Sequence, residues 1–221
     1  MAAPEELVIG TSVRGRSIAA LRFVPPSYAK PRPPAVLFGA IHGDEPVSAM
    51  MLEMLVEELV ERPPGRETWI IPCLNPDGVA AGSKNNAHDV DLNRSFAAAN
   101  WVADHGAGYF PGKTPESEPE AQALVALIAQ SGATRLVSVH ATFRCVNWDG
   151  GGRTLAEEMA ALCGYPANGD IGYPTPGSFG SKYGVDLGLE VVTLEVPYLD
   201  VDEAAWLETR SALRHCVDLP A

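Results

Sequence analysis

The stretch Ala35-Val-Leu-Phe-Gly-Ala-Ile-His-Gly-Asp-Glu45 decides how the rest of the chain is interpreted. It is an apolar run that ends in a polar cluster, and that cluster contains His42 and Glu45. A short apolar run bounded by turn residues is typical of a buried strand in a parallel sheet covered on both faces. Ligands of such sheets bind at the carboxyl ends of the strands. An imidazole and a carboxylate at this edge, with Gly43 allowing a sharp turn between them, are suitable zinc ligands.

Predicted strands and helices alternate along most of the chain. Hydrophobic periodicity predicts strands over 6–13, 17–24, 35–41, 68–74, 135–139 and 189–196, and helices over 47–61, 120–131, 154–163 and 202–217. Asn75-Pro-Asp-Gly78 is predicted as a turn, and residues 164–184 as a loop rich in glycine and proline. The alternation indicates an α/β fold. Its sheet is mixed because the first two strands form a hairpin, and we expect one domain over residues 1–221.

Composition excludes several classes of protein. The formal net charge of −12 argues against nucleic-acid binding, which needs Lys and Arg for the phosphate backbone. No apolar run approaches the roughly 20 residues of a membrane helix. The first residues lack the basic and apolar regions of a signal peptide. The 4 cysteines are widely spaced, so we expect free thiols and a cytoplasmic protein.

Three predicted strand ends carry ionisable groups. His42 and Glu45 follow one strand, His140 follows the next, and Glu195 closes the last. Two histidines and one glutamate form a complete protein ligand set for a catalytic zinc and leave a position open for water. Glu195 is then the candidate carboxylate that takes a proton from this water. A lone histidine after a strand is more often a hydrogen-bonded structural residue than a ligand, and it is the combination that favours a metal site.

Asp91-Leu-Asn-Arg94 is a second candidate for binding substrate. The planar guanidinium of an arginine can grip a carboxylate through two parallel hydrogen bonds. The alternative is a solvated loop arginine paired with Asp89 or Asp91, and spacing alone does not separate the two interpretations.

Five motifs over residues 35 to 197 occur in the order found in zinc metallocarboxypeptidases of the carboxypeptidase A type. They are His-Gly-Asp-Glu, Asn-Pro-Asp-Gly, Asp-Leu-Asn-Arg, Ser-Val-His and Leu-Glu-Val-Pro. The chain resembles this family, which implies a three-layer fold with a central mixed sheet flanked by helices and one Zn²⁺ per chain. The resemblance implies the following roles: His42, Glu45 and His140 as zinc ligands, Glu195 as general base, Asn93 and Arg94 as the carboxylate clamp, and Asp91 as the partner that orients His42.

Residues 171–181, with Asp186-Leu-Gly-Leu189 and Glu195-Val-Pro197, look similar to the murein peptide amidase A family. That resemblance implies a cytoplasmic enzyme that cleaves the γ-D-glutamyl–meso-diaminopimelate bond in recycled cell-wall peptides. Arg94 would then hold a carboxylate of the diaminopimelate portion.

Two departures from the family pattern affect the expected site. Lys84 stands where an arginine usually stabilises the developing oxyanion, and a lysine supplies charge without the planar fork. After His140 the chain continues Ala-Thr-Phe-Arg144 instead of Asp-Pro. Arg144 is either a second anion clamp or a surface charge, and we favour the clamp. Three tyrosines are candidates for capping the substrate: Tyr109, Tyr173 and Tyr183.

Taken together, the motifs predict a zinc peptidase or amidase acting on murein peptides through a metal-activated water. Its expected partner is a small peptide with a free carboxylate, without nucleic acid or membrane. Three alternatives stay open. One is a carboxypeptidase that removes C-terminal L-residues, another an N-acyl amino-acid deacylase of the aspartoacylase type. The third is a zinc-containing binding protein that has lost catalysis.

Overall fold

An eight-stranded mixed sheet forms the middle layer of the protein. The computed structural model describes residues 3–27, 29–104, 106–198 and 202–218. The strands are β1 (Glu5–Thr11), β2 (Ser17–Phe23), β3 (Ala35–Phe38), β4 (Thr68–Ile71), β5 (Arg135–Ala141), β6 (Cys145–Gly150), β7 (Ala167–Asn168) and β8 (Glu190–Val196). Their order across the sheet is β1-β2-β4-β3-β5-β8-β6-β7.

The four central strands β4, β3, β5 and β8 run parallel, whereas β2 and β6 are antiparallel to their neighbours β4 and β8. All four residues of β3 are buried, as are those of β4, because both faces of the sheet are covered. This burial explains the unbroken apolar runs in the sequence. The carboxyl ends of the parallel strands meet at one edge, which is where His42, His140 and Glu195 lie.

Five α-helices in the described ranges complete the layers. They are α1 (Pro46–Glu61), α2 (Pro76–Ala81), α3 (Pro119–Ser131), α4 (Arg153–Cys163) and α5 (Asp202–Cys216). Residues of α1, α4 and α5 pack with one face of the sheet in the first hydrophobic core. Residues of α3 and of the loops around Phe96 and Phe179 pack on the other face in a second core. The three-layer α/β fold with a mixed sheet is therefore confirmed.

Most predicted elements lie where the sequence placed them, and three differ. The predicted turn at 75–78 is the first turn of helix α2, since the Asn75 side chain accepts a hydrogen bond from the Gly78 amide at 2.9 Å and caps the helix. Strand β6 was not predicted. The predicted loop 164–184 contains the short strand β7 and the start of a π-helix, Gly180–Asp186. Among the described residues, no helix combines the length and apolar character needed to cross a membrane.

Candidate metal centre

The turn after β3 presents His42 and Glu45 at the edge of the sheet. Gly43 lies against the backbone of α2, where a Cβ atom on it would sit 2.0 Å from the carbonyl carbon of Gly78. Only glycine fits this contact, which therefore fixes the turn between the two side chains. Ser48 supports the turn from α1, since its hydroxyl donates to the Glu45 carbonyl at 2.6 Å and accepts from the Ala40 amide at 2.8 Å.

His140 joins this pair from the end of β5. The His42 Nδ1 atom lies 2.9 Å from one carboxylate oxygen of Glu45, and the His140 Nδ1 atom lies 3.1 Å from the other. One ligand atom from each of the three residues lies within 4.8 Å of the other two. The Ala141 amide also donates to Glu45 at 3.1 Å. Two imidazole nitrogens and a carboxylate that converge in this way fit a zinc ion.

Asp91 contacts the ring nitrogen of His42 that does not face Glu45. Its side chain accepts from the His42 Nε2 atom at 3.2 Å and from the Asn93 amide at 2.9 Å, and its second oxygen lies 2.8 Å from the Lys84 ammonium. Burial opposes ionisation of Asp91, but the hydrogen bond from His42 and the nearby cations hold its pKa below the usual range. Burial likewise disfavours the charged imidazole, yet Asp91 and Glu45 raise the pKa of His42 to about 9. Zinc binds neutral imidazole, so its uptake displaces this proton.

Glu195 lies on β8 directly beside His140 on β5, as the register of the two strands requires. It is buried, and the Phe143 amide approaches one of its carboxylate oxygens at 3.4 Å. Burial raises the pKa of Glu195 and outweighs the nearby His140. Glu195 therefore faces the same space as the three candidate ligands without being one of them.

Asn93 and Arg94 follow Asp91 in a short 3₁₀-helix, Leu92–Arg94. Arg94 is only 4% exposed, which does not fit a solvated loop arginine. Its guanidinium donates to the Asn93 carbonyl at 2.7 Å and lies over the Tyr109 ring. No carboxylate of the described chain forms an ion pair with Arg94. Asn93 accepts a hydrogen bond from the Phe179 amide at 3.0 Å, which ties residues 91–94 to the residue before the π-helix.

A cavity of about 330 Å³ joins these side chains. Its lining includes His42, Glu45, Lys84, Asn93, Arg94, Tyr109, His140, Tyr173 and Glu195. Of the three candidate tyrosines, Tyr109 and Tyr173 line the cavity and are half exposed. Tyr183 is instead buried against the rings of Phe96 and Phe179.

Arg144 is placed differently. Its guanidinium pairs with Glu208 at 3.0 Å and lies over the Tyr165 ring, and it is absent from the described lining of the cavity. Of its two interpretations, the structure favours the surface charge over the anion clamp that the sequence suggested.

Sequence reasoning missed one wall of the cavity. Ser138 and Thr193 lie on β5 and β8 two residues before His140 and Glu195, and Asn147 and Asp149 lie on β6. The first two were detectable, since alternate residues of a strand share a face. The other two depend on β6, whose polar sequence does not indicate a strand.

The fold and the site are those of an α/β metallohydrolase, with a candidate ligand set of two histidines and one glutamate beside a buried carboxylate. Comparison with known proteins gives the family. The "Zinc carboxypeptidase" family matches residues 5–154. The chain is 35% identical to murein peptide amidase A of Escherichia coli K12 over 209 residues, which cover 89% of this chain and 85% of that protein. It is 31% identical to murein peptide amidase A of Vibrio campbellii over 76% of this chain and 71% of that one.

Solved structures agree with this result. The murein-tripeptide amidase of Escherichia coli O157 superposes with a TM-score of 0.80 at 28% identity, covering 100% of this chain and 99% of that one. Bovine thrombin-activatable fibrinolysis inhibitor reaches a TM-score of 0.82 over 98% of this chain and 88% of that chain, and at 18% identity it shows the fold alone. The protein belongs to the zinc carboxypeptidase family and is a zinc-dependent hydrolase.

Proposed function

We propose that this enzyme hydrolyses the γ-D-glutamyl–meso-diaminopimelate amide bond of murein peptides. The observation that carries the proposal is the 35% identity to a murein peptide amidase over 89% of this chain. The likeness extends over most of both proteins, so it includes the cavity as well as the candidate ligands. The polar lining of the cavity supports the same substrate, because an apolar C-terminal side chain would gain little from it.

Asn93 and Arg94 are proposed to hold a free carboxylate of the substrate on the leaving side. Arg94 is buried at the cavity wall, and its charge is not matched by an ion pair with any carboxylate in the described residues. A buried guanidinium that lacks an ion pair favours an anionic partner with two oxygens in one plane. A peptide with a free carboxylate provides that partner.

His42, Glu45 and His140 are proposed to hold the zinc ion, with Asp91 fixing His42. Zinc held there supplies Lewis-acid chemistry, since it polarises a carbonyl and makes water more acidic. Glu195 is proposed to take a proton from the attacking water at a carboxylate oxygen and to deliver it to the leaving amine nitrogen. A raised pKa favours the first half of this transfer, and in the second half the proton passes to the more basic amine.

Lys84 is proposed to stabilise the negative charge that develops on the carbonyl oxygen. Its ammonium lies at the cavity wall, 2.8 Å from Asp91 and over the ring of Tyr109. The ion pair with Asp91 lowers the charge available to the substrate, so we expect a weaker contribution than a free arginine would make. We propose no role for Arg144 in substrate binding.

The proposed reaction takes place in the cytoplasm and belongs to the recycling of wall peptides. All 4 cysteines are free, which supports a reducing compartment. A peptide cleaved by this reaction releases diaminopimelate, which wall synthesis can use again.

The first test is turnover of two peptides by the enzyme supplied with zinc. One is L-Ala-γ-D-Glu-meso-diaminopimelate, and the other is a matched peptide with only α-linkages that ends in an L-residue. Release of diaminopimelate from the first peptide alone is expected. Cleavage of only the second would refute the murein assignment in favour of an ordinary carboxypeptidase, and cleavage of neither would contradict both.

The variant Glu195→Gln tests the mechanism. Removing the proton acceptor is expected to lower kcat by about 10²–10⁴-fold while zinc content stays at the wild-type level. Glu157→Gln is the matched control, since Glu157 is exposed and pairs with Arg153 at the surface. Unchanged turnover in Glu195→Gln would exclude Glu195 as the base.

A further inference from the structure

A polar row crosses three strands beside the metal-site residues. Thr193 on β8 lies in register with Ser138 on one side and Asn147 on the other, and the hydroxyl oxygens of Ser138 and Thr193 are 2.9 Å apart. Residues two apart on a strand share a face, so this row lies on the same face as His140 and Glu195. Asp149 is two residues beyond Asn147 on β6. We call Ser138, Asn147, Asp149 and Thr193 the polar wall, and all four line the cavity.

Two hydrogen-bond acceptors of the polar wall have no partner. The Asn147 Oδ1 atom is buried and accepts no hydrogen bond. The Asp149 carboxylate forms no hydrogen bond or ion pair with any residue that the structure describes. A buried acceptor is nearly always satisfied in folded proteins, so the Asn147 oxygen indicates a missing donor. The half-buried Asp149 carboxylate faces the same cavity and is likewise without a partner among the described residues. Burial also raises the pKa of Asp149, a shift that a cation beside it would reverse.

Two glycines of the π-helix leave room for the Asp149 side chain. A Cβ atom on Gly180 would lie 2.0 Å from the Asp149 Oδ2 atom, and a Cβ on Gly184 would lie 2.4 Å from the Asp149 Cβ. Any side chain at either position would push the carboxylate aside. The carboxylate is therefore held by close packing, although no hydrogen bond fixes it.

The two ends of the cavity differ in charge and are well separated. Lys84 and Arg94 lie at the metal end, where Lys84 contacts the same aspartate as His42. Asp149 pairs in register with Val191, four residues from Glu195 along β8. At about 3.3 Å per residue, the Cα atoms of Val191 and Glu195 are roughly 13 Å apart, and the side chains that reach into the cavity shorten the gap that a ligand must span. A ligand that fits both ends carries its negative charge near the reacting bond and a positive charge farther away.

We propose that Asn147 and Asp149 select the residue on the leaving side of the substrate by binding a protonated amino group at the far end of its side chain. An ammonium offers three donors and no acceptor, which suits two unpartnered acceptors close to the hydroxyl pair of the wall. The inference rests on the proposed function, because it identifies which part of a murein peptide the cavity recognises.

The test compares two amino acids that differ only in the group concerned. meso-Diaminopimelate has the distal ammonium, and 2-aminopimelate lacks it but keeps the distal carboxylate. Binding of each to the zinc-loaded enzyme is measured by calorimetry. The wild type is expected to prefer diaminopimelate by at least about tenfold, and Asp149→Asn is expected to reduce this ratio to within about threefold of unity.

Controls separate this effect from misfolding. Asp104→Asn, an exposed aspartate away from the cavity, should leave the ratio as in the wild type. Zinc content and the thermal unfolding midpoint of Asp149→Asn should match the wild type. Three results overturn the proposal: equal binding of the two ligands by the wild type, no binding of either, or a preference that survives in Asp149→Asn. Loss of the preference in Asp170→Asn instead would assign the selection to that other cavity carboxylate.

The same comparison in turnover distinguishes this proposal from the proposed function. The substrates are L-Ala-γ-D-Glu peptides that end in either amino acid. If neither peptide is cleaved, the proposed function fails, while the calorimetric ratio still decides whether the polar wall selects an ammonium. If both are cleaved at equal kcat/KM, the function stands and the role of Asp149 is refuted.

Discussion

Glu45 is the residue on which the candidate metal centre converges. Its two carboxylate oxygens take one contact each from His42 and His140, and the Ala141 amide adds a third. The two histidines lower the pKa of Glu45 although its burial acts in the opposite direction. The three side chains are thus already gathered at one point, and a cation entering there meets charged and oriented ligands. Little rearrangement is then needed to bind zinc, because the backbone around Gly43 fixes their approach.

The contact between Asp91 and His42 leads to a prediction about zinc affinity. In Asp91→Asn the amide cannot accept the imidazole proton with the same charge, so His42 loses its fixed orientation. Carboxylates that orient a ligating histidine are worth about 10–100-fold in metal affinity. We expect a loss of that size, measured by competition with a chelator of known affinity.

Asp104→Asn serves again as the matched control, since Asp104 is exposed and accepts only a local hydrogen bond from Gly106. Unchanged zinc affinity in Asp91→Asn would show that Asp91 acts on Lys84 or Asn93 rather than on the metal ligands.

At the scale of elements, the sequence predicts strands well where both faces are buried. In β3 and β4 every residue is apolar or fully enclosed, and such runs are unambiguous. Strand β6, Cys-Val-Asn-Trp-Asp-Gly, was missed because one of its faces lines a polar cavity. Asparagine, aspartate and glycine are poor strand formers. Asn147 and Asp149 line the cavity, and they contribute little to the strand propensity of this segment.

Site residues were likewise predictable where they adjoin a clear local pattern. His42, Glu45, His140 and Glu195 were predictable because each follows or closes a recognisable strand. The short helix α2 was predicted as a turn, since Asn-Pro-Asp-Gly is both a turn signal and the first turn of a capped helix. Arg144 could not be placed, because the chain direction after His140 is not encoded in any local pattern. The peptide bond between Ala141 and Thr142 is cis in the structure.

The packing of the His42–Glu45 turn against α2 gives a prediction for Gly43→Ala. A Cβ atom there would meet the backbone of Gly78 at 2.0 Å, so either the turn or α2 must move. We expect the free energy of unfolding to fall by about 1–3 kcal/mol. Zinc affinity should fall roughly tenfold as well, because His42 moves away from Glu45. Chemical denaturation and chelator competition measure the two effects.

Gly82→Ala separates stability from site geometry. Gly82 ends α2 with φ of 61° and has no atom close to the added Cβ, so alanine there is strained but displaces nothing. We expect a cost of about 1–2 kcal/mol in unfolding free energy and unchanged zinc affinity. Equal losses of zinc affinity in both variants would mean that general destabilisation, rather than the turn, controls the metal centre.

At the scale of the whole molecule, the four cysteines share one property. All are free, and burial raises the pKa of each, to about 11 for Cys73 and about 12 for Cys216. The thiolate is the reactive form, so raised pKa values leave less of it at pH 8. We expect the native protein to react with a disulfide reagent at least about tenfold more slowly than free cysteine. The rate should rise with pH above 8.

Unfolding in guanidinium should make all 4 thiols titrate rapidly. The colour released by the reagent measures both rates on the same sample. Fast reaction of even one thiol in the native protein would contradict the prediction. It would also identify a local opening near that cysteine.

The position of β8 between β5 and β6 has a consequence for the synthesis of the chain. β5 and β6 follow each other in sequence, yet they are not neighbours in the sheet, since the last strand inserts between them. A growing polypeptide on the ribosome therefore keeps the edge of β5 open until residues 190–196 have emerged, and an open edge invites pairing with other chains. His42, Glu45 and His140 are all made before that moment, and Glu195 comes with the strand that closes the edge. All three candidate zinc ligands are therefore synthesised before the proposed base.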